Sequence, residues 1–322
     1  MRKFILGIPA ILLFKCSFSQ VNWYRVDSLF QPLPSSVQVW MTTDSMEGKP
    51  NIAYAVVAKL KDKDLHFTSD TSYKRRLTPF GFYEKNNQPL IVVNTTFFSF
   101  STHQNLNVVI KDGKMVAYNI HSLPGKGKDT LTYRHPLGSA IGINRKREAD
   151  IAWLFTDSTS TLPLALQAPV SPKRDSLPHF DKASFFSTLQ NPRIAKQWKM
   201  ESAVGGGPVL LQQGEVRITN NEELKFAGKA INDRHPRTAM GYTAQNELVI
   251  LAVEGRNPGK AEGVTLGQEA LLLQSLGCVE ALNLDGGGSS CLLINGKPTI
   301  RPSDKEGQRA VPGVFIIQEK KR

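Results

Sequence analysis

Hydrophobic and polar residues alternate with a period of two through much of this chain, as they do in strands that bury one face. Residues 37–40, Val-Gln-Val-Trp, follow that pattern, and residues 52–60 form a longer apolar run. Residues 90–93, Leu-Ile-Val-Val, are rich in β-branched side chains and read as a short buried strand ending at Asn94. Asp62-Lys-Asp64 and Pro79-Phe-Gly81 read as turns. Asp112-Gly113, between residues 108–110 and 115–116, predicts a hairpin, because Asp-Gly suits the left-handed backbone of a type I′ turn. Asn295-Gly296 predicts another, between residues 291–294 and 297–300.

The last third is the most regular. Residues 209–211 form an apolar strand that a Gln-Gly turn joins to Val216. Residues 238–242 and 248–253 read as two strands joined across Gln245-Asn246. Residues 265–276 are the clearest helix. Thr265 and Gln268 have capping-box spacing, Leu266, Ala270, Leu273 and Leu276 share a face, and Gly277 suits the left-handed stop. A strand follows at residues 281–284. Strands outnumber helices, so the expected fold is α+β: mixed, mostly antiparallel β-sheets with a few packed helices. A strand-rich N-terminal region, 20–89, is expected to pack on a catalytic region, 90–322. Within the latter, residues 157–198 are rich in Ser, Thr and Pro, lose clear periodicity and read as a surface insertion.

Composition changes the picture mainly at the N-terminus. A positive start at Arg2 and Lys3 precedes an apolar stretch over residues 4–14. Ser17 and Ser19 then suit a cut before Gln20, so residues 1–19 read as a signal peptide. The alternative, lipidation at Cys16, lacks the small residue such processing wants just before the cysteine. No later stretch is long and apolar enough to span a bilayer, so a secreted or periplasmic protein is expected. The net charge of +12 favours anionic ligands. The basic residues are scattered and form no stripe interleaved with aromatics, so no nucleic acid is expected. The expected partner is an anionic glycan or a sugar phosphodiester; the oligomeric state is left open. In the mature chain only Cys278 and Cys291 remain. Antiparallel pairing around the intervening loop would set Cys278 opposite about residue 297, so two buried free thiols are expected.

Asp285-Gly-Gly-Gly-Ser-Ser290 follows the strand at 281–284. Three glycines admit backbone conformations closed to other residues, and successive amides in such a turn can cradle an anion beside the Asp285 carboxylate. The plainer alternative is a flexible connection between two strands. Asn94 and Glu254 end other apolar runs and Asn283 lies in the strand before the loop, so strand ends deliver several polar groups. The alternative for Glu254 is a solvated residue before the Gly255-Arg256-Asn257-Pro258 turn. Arg237 offers a guanidinium fork that matches phosphate oxygens, and His235 precedes it in Asp233-Arg-His-Pro-Arg237. No His/Cys/Asp set has zinc spacing, no Gly-x-Ser-x-Gly elbow occurs, and no Lys-Ser/Thr follows the glycines as in a Walker A loop. No metal or other cofactor is expected.

The segments Gly206-Gly-Pro-Val-Leu-Leu211, Arg237-Thr-Ala-Met-Gly241, Gly263-Val-Thr-Leu266 and Ala281-Leu-Asn-Leu-Asp-Gly-Gly-Gly-Ser-Ser290 occur in the order seen in the phosphodiester glycosidase family. Asn94-Thr-Thr-Phe-Phe98 and Arg309-Ala-Val311 resemble two further motifs of that family, and the resemblance runs from about residue 90 to 317. Thr95-Thr96 departs from its usual small residues, and residues 20–89 and 157–198 have no clear counterpart. The resemblance implies an exported hydrolase that cleaves a sugar-1-phosphodiester, such as a GlcNAc-1-phosphodiester, at the anomeric carbon. Asp285 or Glu254 is then the base or nucleophile. Arg237, Arg309 and the amides of Gly286, Gly287, Gly288, Ser289 and Ser290 face the phosphate. Asn94 and Asn283 orient the sugar or the carboxylate; His235 is a candidate for substrate binding, its plainer alternative being a surface or packing histidine. The alternatives are an exported protein that binds or assembles glycan without catalysis, and a phosphodiesterase that breaks the other P–O bond.

Overall fold

The computed structural model describes residues 21–320; the expected signal peptide lies outside them. Three large antiparallel sheets make the body of the molecule. The eight-stranded sheet runs in the order Tyr24–Arg25, Val37–Thr42, Ala53–Lys59, Glu247–Val253, Arg237–Thr243, Cys278–Asn283, Val209–Gln212 and Glu215–Val216. The seven-stranded sheet is built around Ala149–Phe155, Gly138–Ile143, Ser202–Gly205 and Val109–Lys111. In the five-stranded sheet, Leu292–Ile294, Ile91–Asn94, Gly313–Glu319 and Leu65–Thr71 lie side by side. All three contribute to one core, in which Val56, Ile250 and Leu282 meet Ile141 and Trp153, and Val93 and Phe315. Removing such side chains from water is the main stabilising term.

The expected mixed sheet does not form: every strand pairing among the described residues is antiparallel. With 38% strand and 14% helix, the protein is mostly β, not a balanced α+β fold. The hairpins are responsible. Asp112-Gly113, Gln213-Gly214 and Asn295-Gly296 all take positive φ and return the chain beside itself. Pro79-Phe-Gly81 is also corrected, because it opens the helix Pro79–Lys85. The Thr78 hydroxyl accepts from the Gly81 amide, proline takes the first turn, and Phe82 is buried beneath.

The helix Leu266–Ser275 forms as its spacing predicts, with both halves of the Thr265/Gln268 capping box made and Gly277 at φ +81°. Its apolar face covers the outer side of the eight-stranded sheet through Leu266, Ala270 and Leu273. Within residues 157–198, Leu164–Leu166 pairs with Ala149–Phe155, and Lys173–Asp175 pairs with Tyr133–His135. The helix Lys182–Ser187 buries Phe185 in a stacked contact 5.0 Å from Phe155. Cys278 and Cys291 are free and buried, and burial pushes both thiols up to about 12. Their expected hairpin is absent, because the chain changes sheets between them. Cys278 pairs with Thr243, and Cys291 leads into the five-stranded sheet.

Candidate active site

Asp285-Gly-Gly-Gly-Ser-Ser290 is the crossing from the eight-stranded to the five-stranded sheet. Four hydrogen bonds fasten its start. The amides of Leu284, Asp285 and Gly287 donate to the carbonyls of Thr238, Thr95 and Pro236, each at 2.8 Å. The Asn94 Nδ2 donates to the Asp285 carbonyl at 2.6 Å. The Asn94 Oδ1 accepts from the Thr238 hydroxyl at 3.0 Å and from the Cys291 amide at 2.9 Å. Fully buried, Asn94 therefore ties both ends of the loop to the strand Arg237–Thr243.

Each glycine is demanded by a close approach. A side chain at Gly286 would meet the Pro236 carbonyl at 2.8 Å. Gly287 has φ +62°, and a side chain there would lie 3.0 Å from Arg256 Nη2. At Gly288 it would occupy the space of the Arg309–Asp304 pair. The expected amide cradle is largely committed to holding the turn. The amides of Ser289 and Ser290 donate to the carbonyls of Gly286 and Gly287 at 3.1 and 3.2 Å.

Asp285 is half-buried as a residue, and its carboxyl is surrounded by protein. Burial pushes the group up to about 7, against the Ser289 hydroxyl, the Arg309 charge and the Gly286 amide, which favour the anion. A carboxyl in that range can give or take a proton near neutrality. Arg309 holds Asp304 with two bonds, Nε to Oδ2 at 2.8 Å and Nη2 to Oδ1 at 3.0 Å, and its guanidinium lies over Phe100.

The other expected residues take varied places. Arg237 is 2% exposed, and its guanidinium donates to the carbonyls of Val264 at 3.1 Å and Asp233 at 3.0 Å. It lies over Phe226, and burial lowers its proton affinity against the nearby Glu269 carboxyl, which itself is pushed towards the protonated form. The Glu254 carboxylate accepts from Asn257 Nδ2 and from the Arg301 amide, both at 3.0 Å. Asn283 donates to the Gly207 carbonyl at 2.8 Å, while its Oδ1 is buried without a partner, as is the Ser290 hydroxyl. His235 pairs through its backbone with Val264. Burial and the charges of Arg237 and Arg256 hold its imidazole below the usual range. Among the described residues, no group of three or more His, Cys, Asp or Glu converges as metal ligands.

The model of the phosphodiester glycosidase family matches residues 87–318, the stretch that carries this loop and every residue fastened to it. The chain belongs to that family. Similar proteins include the SPbeta prophage-derived uncharacterized protein YomE of Bacillus subtilis, 42% identical over 87 residues, which are 27% of this chain and 13% of that one. Bovine N-acetylglucosamine-1-phosphodiester alpha-N-acetylglucosaminidase is 33% identical over 103 residues, 30% of this chain. The matched stretch spans only 19% of the bovine enzyme's length. The catalytic domain of the zebrafish enzyme of that name, solved auto-inhibited by its pro-peptide, superposes with a TM-score of 0.56 at 18% identity. That likeness covers 93% of this chain and 88% of the zebrafish one and concerns the fold.

In this member of the phosphodiester glycosidase family, sequence reasoning overlooked Arg256. It directly follows the Glu254-Gly255 pair, where the chain reads as a turn, yet its guanidinium is packed against Gly287. Its φ of +58° is unusual for a side chain of this size. Also overlooked was Glu223, 1% exposed, which accepts from the Ser139 hydroxyl, Trp153 Nε1, the Val209 amide and the Thr219 hydroxyl. That carboxylate binds the seven-stranded sheet to the eight-stranded one. Nothing in the local sequence Asn-Asn-Glu-Glu-Leu signals it.

Proposed function

We propose that this protein hydrolyses the bond between the anomeric carbon and the phosphate of a sugar-1-phosphodiester. The carrying observation is the Asp285 carboxyl, pushed up to about 7 on a rigid glycine turn that packs against Arg256 and Arg309. A phosphate monoester is a good leaving group, so the reaction needs little acid assistance. It needs charge stabilisation on the phosphate and a carboxyl group at the oxocarbenium-like centre. Arg256, whose side chain makes no ion pair or hydrogen bond among the described residues, supplies the uncompensated cation. Arg309, neutralised by Asp304, orients Asp285 through Ser289. Asn94 holds the backbone from which Asp285 projects, and Arg237 fixes the neighbouring Val264 and Asp233 carbonyls. Export, and a glycan of the envelope or the extracellular space as substrate, belong to the same proposal. They rest on the N-terminal sequence and the basic charge.

The expected result is that Asp285→Asn folds, by circular dichroism, and loses at least about 10³-fold in kcat/KM on a GlcNAc-1-phosphodiester. Hydrolysis in ¹⁸O-labelled water puts the label in the sugar. Label in the phosphate, or full activity of the variant, overturns the assignment.

A further inference from the structure

Beside the glycine loop lies a cavity of about 500 Å³ walled by Glu254, Arg256, Arg301, Ser303, Asp304 and Lys305, among others. Its charges are unequally matched. Both Glu254 oxygens accept hydrogen bonds, from Asn257 and from the Arg301 amide. Asp304 is taken up by Arg309. The side chains of Arg256, Arg301 and Lys305 make no ion pair and no hydrogen bond among the described residues, and the Ser303 hydroxyl is shielded from water without a partner. Three cations therefore share one concavity with a single free carboxylate charge, that of Glu254, whose hydrogen bonds come from neutral donors. A net positive charge remains. Cations without counter-charges in a concave site concentrate anionic ligands, and guanidinium forks select phosphate geometry. A single phosphodiester carries one negative charge and is answered by Arg256 at Gly287. Arg301 and Lys305 lie on the segment that leads to Arg309, make no ion pair, and together exceed the one carboxylate charge of Glu254 in the same cavity.

We infer that the substrate is a chain of sugars joined by repeating phosphodiesters, and that a second phosphate of that chain enters this cavity on Arg301 and Lys305. The inference rests on the proposed hydrolysis and names the substrate class of the same site. Two synthetic probes test it, sharing one sugar: methyl GlcNAc-1-phosphodiester, with one phosphate, and a GlcNAc-1-phosphate dimer capped as its methyl diester, with two. Wild-type kcat/KM is expected to be about 10-fold or more higher on the two-phosphate probe. Arg301→Gln/Lys305→Gln is expected to erase that advantage while leaving the one-phosphate rate unchanged. Equal wild-type rates on both probes, or an equal loss on both in the variant, overturn the inference and leave the hydrolysis standing. If neither probe is cleaved, the hydrolysis fails, and calorimetric binding of the two-phosphate probe decides the cavity alone. Wild-type binding about 10-fold tighter than that of the double variant supports it, and equal binding overturns it.

Discussion

Glu269 shows how far a single side chain departs from its free behaviour here. It is fully buried on the helix Leu266–Ser275, neither carboxyl oxygen has a hydrogen-bond partner, and burial pushes it up to about 8 despite the nearby Arg237 charge. Its folded value lies above the usual 4.5, so the folded state binds the extra proton between those values. Stability from this group is then fully present below about pH 4.5 and is lost as pH rises towards 8. Glu269→Gln removes that titration. The stability of the variant relative to wild type, by urea denaturation, is expected to rise by roughly 2–4 kcal/mol between pH 4.5 and pH 8.5. A flat difference across that range contradicts the burial argument. Asp285 shares the physics and differs in its company, because Ser289, Arg309 and the Gly286 amide favour its anion.

Among the elements, the helix Leu266–Ser275 is the one whose start matters most to the site. Its capping residue Thr265 follows Val264, whose carbonyl receives Arg237 Nε and whose backbone pairs with His235. Thr265→Ala removes the acceptor for the Gln268 amide and is expected to cost about 1 kcal/mol, lowering Tm by about 2 °C. Activity at 25 °C is expected to hold, since the Val264 carbonyl stays in place; a scanning calorimeter and an initial-rate assay read the two effects. The crossing loop behaves in the opposite way. Its stability comes from bonds to Thr95, Pro236 and Thr238, in or next to neighbouring strands, so its shape is imposed from outside.

At the level of the whole molecule, a net charge of +12 over the full chain, +9 without Arg2, Lys3 and Lys15 of the expected signal peptide, and the unpaired Arg256 at the loop favour encounter with anionic substrate. Raising NaCl from about 0.05 to 0.5 M shortens the Debye length from about 13 to about 4 Å. The expected consequence is a several-fold fall in kcat/KM on a phosphodiester, carried mainly by KM; insensitivity to salt contradicts it.

Local pattern alone determined the hairpins at Asp112-Gly113 and Asn295-Gly296, the capped helix at 265–276 and the apolar strands, because these depend on turn chemistry and period within a few residues. It also picked out the glycine loop and the polar residues at strand ends, although it did not settle what they touch. That every pairing among the described residues is antiparallel, where a mixed sheet was expected, was decided by the tertiary structure. So was the change of sheet between Cys278 and Cys291, which undid a register counted along the chain. Arg237 and Arg309 look equivalent in sequence, yet one is spent on backbone carbonyls inside the protein and the other on Asp304 beside the loop. Arg256 gained its place only when the turn after Glu254 met Gly287. Partners so far apart in the chain are chosen by packing, and the carboxyl of Asp285 acquired its proton affinity from the burial that packing created.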